Sequence, residues 1–344
     1  MTSDGFSSSY EPEFEQVVAV AEQPQASPVH RDKPVVVTGA AGLVGKRTCT
    51  VLTQQGWQVR ALVRSATKAA ERLGHLKLEI RSGDIRDPDS MRAALKGAGS
   101  LVHLAAIAIE KKGESYEDTN TAATRTVLDA ARAESVERIV YMSQNGADSR
   151  SPYPFLRSKG IAQDYVTQSS AKWTVLKPSV IFGPEDEFIN VLARLVRLSP
   201  FIYPLPGGGT ARFQPVAVGD VAQAVAKSLA DDSTIHKQLS IGGPMPLSLR
   251  EMTERILVAM NASRVLVGVP VGALRPLIAL AQRVLPNPPV TTGLLDLLKI
   301  DNVIPTNDLS TVLGISPTPF APEELLYLKN ISFSDAIGSL MRKK

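Results

Sequence analysis

The stretch Val35-Val36-Val37-Thr38-Gly39-Ala40-Ala41-Gly42-Leu43-Val44-Gly45 decides how the rest of the chain is read. A run of β-branched apolar residues suits a buried strand. The glycines that follow suit a tight turn into a helix. Gly39 lets the chain turn sharply, Gly42 lets backbone approach a diphosphate with no Cβ in the way, and Gly45 lets the new helix pack close to the strand. The helix is expected from about Leu43 to Gln55, with Gly56 after it and a second strand over Trp57–Val63. Free amide groups and the positive end of a helix dipole then face an anion. Spaced glycines alone also fit an ordinary strand-turn-helix.

Composition bounds the remaining choices. The 344 residues are 44% hydrophobic and 21% charged, which suits one large or two smaller globular domains. The net charge of +4 is uneven, because residues 1–30 carry five acids and no Lys or Arg, leaving 38 basic and 29 acidic residues in the remainder. A modest basic excess fits an anionic cofactor or an acidic surface. No dense Lys/Arg run with interleaved aromatics indicates nucleic acid. Cys49 is the only cysteine, which excludes intrachain disulfides and a cysteine metal site and points to a reducing compartment. No secretory signal is evident, and no uncharged stretch is long enough for a transmembrane helix. An intracellular location is expected, cytoplasmic or peripheral on the inner face of a membrane.

In chain order, residues 1–32 have no strand or helix period and read as a flexible acidic tail. Residues 33–183 read as the core that carries the glycine turn, and 184–344 as a mixed segment contributing to that core and to a smaller C-terminal lobe. Strand Trp57–Val63 ends in Arg64-Ser65, with no carboxylate before Glu71. A carboxylate at this junction bonds the ribose hydroxyls of NAD; a guanidinium suits the extra phosphate of NADP. Arg64 therefore favours NADP(H) over NAD(H), although a solvated loop arginine reads the same way. A third strand is expected over Leu76–Ile80, leading to Asp84, which either faces an adenine amine or caps the helix opening at Pro88. Strand Ser100–Leu104 ends in Ala105-Ala106, small enough for a ribose to lie against the backbone, and His103 within it reads as packed. A helix over Tyr116–Ala133 and a strand over Arg138–Met142 complete an alternation that predicts an α/β doubly wound parallel sheet, a Rossmann fold.

The chain resembles the extended or atypical short-chain dehydrogenase/reductases from about Lys33 to Gly242. The resemblance rests on Thr38–Gly45, Gly83-Asp84-Ile85, His103-Leu104-Ala105-Ala106, Asn120 in Asn120-Thr121-Ala122-Ala123-Thr124, Lys177–Pro184 and Phe213–Ala222. Within that superfamily, Leu156-Arg157-Ser158-Lys159 and Phe182–Asn190 look most like the branch that includes an accessory subunit of respiratory complex I and its bacterial relatives. The resemblance implies a dinucleotide held by Gly39, Ala41, Gly42, Leu43 and Val44 at the diphosphate, Arg64, Asp84 and Ile85 at the adenosine, Leu104, Ala105 and Ala106 beside the ribose, and Pro178, Ile181 and Lys159 at the nicotinamide end. Ser179 and Phe182 are expected to line that same end.

Active members pair a tyrosine with a lysine one helical turn later, so both side chains point the same way. Lys159 is present, but Phe155 stands where the phenol belongs. Tyr153 is the nearest phenol, and six residues along a helix leave it roughly 120° from Lys159. The helper hydroxyl falls near Ser143-Gln144, one residue out of register. Lys159, Tyr153, Ser143 and Asn120 are thus the candidate catalytic residues, and both proton-handling positions are in doubt. A protein that binds NADP(H) without conventional turnover and docks on a larger assembly fits this pattern. The alternative is an active NADP-dependent reductase or epimerase-like enzyme for a bulky apolar substrate. Beyond Gly183, the loop Pro204–Gly209 reads as a flexible gate. Val271–Leu285 reads as an apolar helix, either core of the small lobe or a face for a protein or membrane-surface partner.

Overall fold

The computed structural model describes residues 32–111 and 113–341. The expectation of a tail over 1–32 therefore falls, but for Asp32, outside the described residues. Seven parallel strands form the central sheet: β1 (Val35–Thr38), β2 (Val59–Val63), β3 (Glu79–Ser82), β4 (Ser100–His103), β5 (Arg138–Met142), β6 (Lys172–Pro178) and a last strand, Lys237–Ile241. Their order is Lys237–Ile241, β6, β5, β4, β1, β2, β3, so the winding reverses between β1 and β4. Ligands of such sheets bind at that reversal, beyond the carboxyl ends of the strands. There Thr38 pairs with Leu62 on one side and His103 on the other.

Both faces of the sheet are covered. Val35 and Val37 of β1 belong to one buried cluster and Val36 to another, the alternation of a strand with helices on each side. Helices α1 (Leu43–Gln54) and α2 (Ala66–Leu73) pack on the first face. On the second lie α3 (Pro88–Leu95), α4 (Ala123–Ala133) and α5 (Pro154–Thr167). The second strand starts two residues later than expected, at Val59, and two elements differ more. The third strand lies at Glu79–Ser82, not Leu76–Ile80. The expected helix Tyr116–Ala133 is instead a π-helical turn, Glu117–Ala122, leading into α4. Such turns recur where a side chain must be re-aimed, and this one carries Asn120.

After β6 ends at Pro178 the chain leaves the central sheet, and Ile181–Phe182 pairs with Val216–Ala217 in a separate two-stranded one. Helix α6 (Ile189–Leu198) opens on Asp186, whose buried carboxylate accepts from the amides of Phe188, Ile189 and Asn190. Helix α7 (Val218–Ala230) returns the chain to the first face against α1, and Lys237–Ile241 closes the sheet edge. Helix α8 (Leu249–Ala259), capped by Ser248 and Glu251, joins α6 and residues 320–331 in a separate apolar cluster. Gly207–Gly209 form one tight turn with positive φ throughout. A Cβ on Gly209 would meet Arg250 and Leu205, so the end of this loop is packed, while Pro204 and Gly207 are exposed.

Helix α9 (Val271–Val284) buries none of its residues, which overturns its reading as lobe core. Leu277, Leu280 and Val284 share one stripe at 64%, 58% and 69% exposure. Helix Phe333–Met341 exposes Phe333, Ile337 and Met341. Asn287, just past α9, donates to the carbonyls of Ser339 and Leu340, so the segment leaving α9 meets the end of that last helix. Among the described residues no helix is long and apolar enough to cross a membrane.

Candidate functional site

Gly39 turns the chain at φ +68°, and a Cβ there would lie 2.9 Å from the amide nitrogen of Ala105. The turn after β1 thus touches the chain leaving β4, at the reversal point. A Cβ on Gly45 would lie 2.1 Å from the Gly39 carbonyl, so only glycine permits α1 to start this close to its strand. For a Cβ on Gly42 the one neighbour within 4 Å among the described residues, adjoining chain aside, is the Gly39 carbonyl oxygen at 3.2 Å. Gly42 caps α1 with no side-chain bond, and the first-turn amides of Leu43 and Val44 have no intrahelical acceptor. An unobstructed glycine beside free amides fits a diphosphate.

His103 fastens the floor of this cleft. The Thr124 hydroxyl donates to the Asn120 carbonyl at 2.7 Å, so His103 Nε2 is the donor in its 3.1 Å bond to Thr124 Oγ1. His103 Nδ1 then accepts from Thr38 Oγ1 at 2.7 Å, and Thr38 Oγ1 accepts from the amides of Leu104 and Ala105. Burial, and Lys159 nearby, push the imidazole pKa down to about 3, so it is a neutral tie between β1 and β4.

At the carboxyl end of β2, Arg64 is 71% exposed and ion-paired to Glu114 on the segment between β4 and the π turn. Asp84 does not cap α3; Asp87 does, through the amides of Asp89 and Ser90. Asp84 instead forms a paired-oxygen contact with Arg86, whose guanidinium holds the carboxyl below its usual range. Ser65 caps α2. Two guanidinium groups and two carboxylates therefore share this end of the cleft.

Lys159 is buried at the other end. Its ammonium donates to the Met142 carbonyl at 2.7 Å and lies 4.7 Å from the Tyr141 ring centroid. Burial pushes its pKa down to about 7. Ser143, next along the chain from Met142, is buried with no hydrogen-bond partner for its hydroxyl among the described residues. Asn120 is committed elsewhere: its amide clamps the backbone N–H and C=O of Ile107 and donates to Ser158 Oγ. Pro178 is buried and its carbonyl accepts from Asn145; Ile181 is half-buried. Ser179 is taken up by Asn302 and Gln214, and Phe182 packs edge-on against Phe320 in the second apolar cluster, so neither faces the cleft freely.

Phe155 and Lys159 lie one turn apart on α5, while Tyr153 precedes the helix with extended backbone. The phenol that meets Phe155 is one the sequence did not flag. Tyr116 sets its ring centroid 5.8 Å from that of Phe155, and its hydroxyl donates to the Ala108 carbonyl at 2.8 Å. Burial and the Glu110 carboxylate push its pKa up to about 12. Tyr116 and Glu114 lie in an irregular segment without a motif, and only their long-range partners mark them.

A glycine turn from β1 into α1 at the reversal point of a seven-stranded parallel sheet is the arrangement of a dinucleotide-binding Rossmann protein. The chain belongs to the NAD(P)H-binding family, which matches residues 39–232. It is 33% identical over 227 residues to the mitochondrial NADH dehydrogenase [ubiquinone] 1 alpha subcomplex subunit 9 of Arabidopsis thaliana, covering 63% of this chain and 56% of that protein. The Mus musculus protein of the same name is 26% identical over 299 residues, 85% of this chain and 79% of its own. The chain therefore spans just over half of the plant relative's length. Thermus thermophilus UDP-glucose 4-epimerase in complex with NAD superposes with a TM-score of 0.67 at 20% identity, covering 89% of this chain and 99% of that one, and shares the fold.

Proposed function

We propose that this chain holds NADP(H) in the Rossmann crevice without conventional short-chain dehydrogenase turnover, and docks by its second half on a larger respiratory assembly. The single observation that carries the first part is Phe155, one turn before Lys159 on α5. A bound nicotinamide supplies hydride chemistry, but a carbonyl that accepts hydride also needs a proton. A positioned general acid contributes about 10²–10⁴-fold, and a phenyl ring has none to give. Tyr116 has its proton engaged by Ala108, and Tyr153 lies off the helix.

The binding groups are intact. Leu43 and Val44 offer amides to the diphosphate, Lys159 offers a buried ammonium to the nicotinamide ribose, and Arg64 offers a guanidinium to a 2′-phosphate. Arg64 with no carboxylate beside it on β2 supports NADP(H) over NAD(H).

The docking part is supported by the exposed stripe of α9, by the exposed apolar residues of Phe333–Met341, and by similarity to proteins named as subunits of NADH dehydrogenase. Native mass spectrometry of the purified full chain tests the cofactor: a retained mass matching NADP(H) is expected, and a retained NAD(H) or an empty protein counts against it.

A further inference from the structure

The adenosine end of the crevice contains a carboxylate from outside the strand that supplies the guanidinium. Glu114 closes a tight turn in which the backbones of Lys111 and Glu114 bond each other reciprocally, with Gly113 next to Glu114 at positive φ. This turn lies on the segment that leaves β4 after Ala106, and its tip brings the Glu114 carboxylate onto Arg64. The rest of that segment is pinned: Asn120 holds Ile107, Tyr116 Oη holds Ala108, and Glu110 accepts from the Tyr116 amide. Glu114 is thus delivered to Arg64 by a built structure, and its side chain is only 22% exposed.

We propose that Glu114 is a specificity-determining residue for the dinucleotide, the acid that β2 lacks, supplied from the β4 side. The inference rests on the assignment of the crevice to a dinucleotide with Arg64 at its ribose 2′ position. A 2′-hydroxyl can donate to the Glu114 carboxylate while the ion pair stays closed. A 2′-phosphate carries about −1.5 to −2 charges at neutral pH, so it must take the guanidinium from Glu114 and is repelled by that carboxylate until it does. The Asp84–Arg86 pair beside it is already closed and lends no spare positive charge. The Glu114–Arg64 pair therefore lowers the advantage of the phosphorylated dinucleotide without abolishing it.

The test is calorimetric titration of the full chain with NADPH and with NADH, for the unmodified protein, Glu114→Gln, Arg64→Ala and the double variant. Removing a partly exposed competing ion pair and one repulsive charge is expected to tighten NADPH by about 3- to 10-fold. NADH is expected to stay level or weaken, because its hydroxyl acceptor becomes a poorer one. In an Arg64→Ala background, Glu114→Gln no longer favours NADPH to this extent. NADPH affinity that depends on Arg64 but not on Glu114, or equal changes for both dinucleotides, overturns this inference alone. No binding of either dinucleotide to the unmodified chain overturns the assignment of the crevice as well.

Discussion

Tyr116 and Phe155 face each other with ring centroids 5.8 Å apart and planes tilted by 53°, so a phenol from the β4 side lies on the position where α5 carries a bare phenyl. Its proton is spent on the Ala108 carbonyl. Placing a hydroxyl on α5 asks whether a donor at this position supports turnover. Phe155→Tyr adds one oxygen one turn from Lys159, and NADPH affinity should remain within about 2-fold of the parent, since surface and half-buried changes of this size cost little. Carbonyl reduction with a suitable substrate should rise by up to about 10²–10⁴-fold. Robust turnover by the unmodified protein that Tyr153→Phe or Tyr116→Phe abolishes would instead name an unconventional donor.

Arg64 makes a second prediction. Arg64→Ala removes a charge-assisted bond worth about 1.5–3 kcal/mol, or roughly 10- to 150-fold in affinity, and should weaken NADPH far more than NADH. Calorimetry showing that the unmodified protein binds NADH as tightly as NADPH would remove the NADP(H) preference.

Lys159 links the site to pH. Its pKa in the folded chain is about 7, against an ordinary 10.5. Between those values the unfolded chain binds a proton that the folded chain does not, so this residue's contribution makes stability rise with pH across that window. Below pH 7 both states are charged, and the folded one bears the full cost of burial. Lys159→Met should flatten the rise. It should also leave the ligand-free protein as stable as the parent at pH 6, or more stable by about 1–4 kcal/mol. Dinucleotide affinity should fall at the same time. Melting curves at pH 6 and pH 9 check this; an equal loss of stability at both would show that the Met142 carbonyl and Tyr141 ring satisfy the charge.

Gly45 tests the cradle. An alanine there places its Cβ 2.1 Å from the Gly39 carbonyl, and backbone cannot yield cheaply. Overpacking of this kind costs about 1–3 kcal/mol, so Gly45→Ala should lower the melting temperature and weaken both dinucleotides alike. A substitution that spares binding would show that the turn relaxes without moving the amides of Leu43 and Val44.

The outer face of α9 should separate docking from folding. Leu277→Asp with Leu280→Asp changes only exposed side chains, and such changes usually stay within about 0.5 kcal/mol each. The melting temperature and NADPH affinity should hold while co-migration with a large complex on native gels of host membranes is lost. Unchanged co-migration would move the docking face elsewhere.

The strand-turn-helix at Val35–Gly45 was legible because local rules act within one turn: buried β-branched residues, a left-handed Gly39 and a close-packed Gly45. The alternation that followed was enough for a doubly wound sheet, and the family resemblance was what made Phe155, one turn before Lys159, stand out as an expected phenol's place. Boundaries were lost where competing bonds are non-local. The π turn at Glu117–Ala122 accompanies an Asn120 clamped to Ile107, and Asp84 is drawn to Arg86 while Asp87 caps the helix. Helix α9 has the apolar content of a core element, and only tertiary structure leaves its stripe uncovered. The pairings Glu114–Arg64 and Tyr116–Phe155 join residues far apart in the chain. No local pattern encodes them: the parallel order of β4, β1 and β2 brings Glu114 to Arg64, and β5 beside β4 brings α5 and Phe155 to Tyr116.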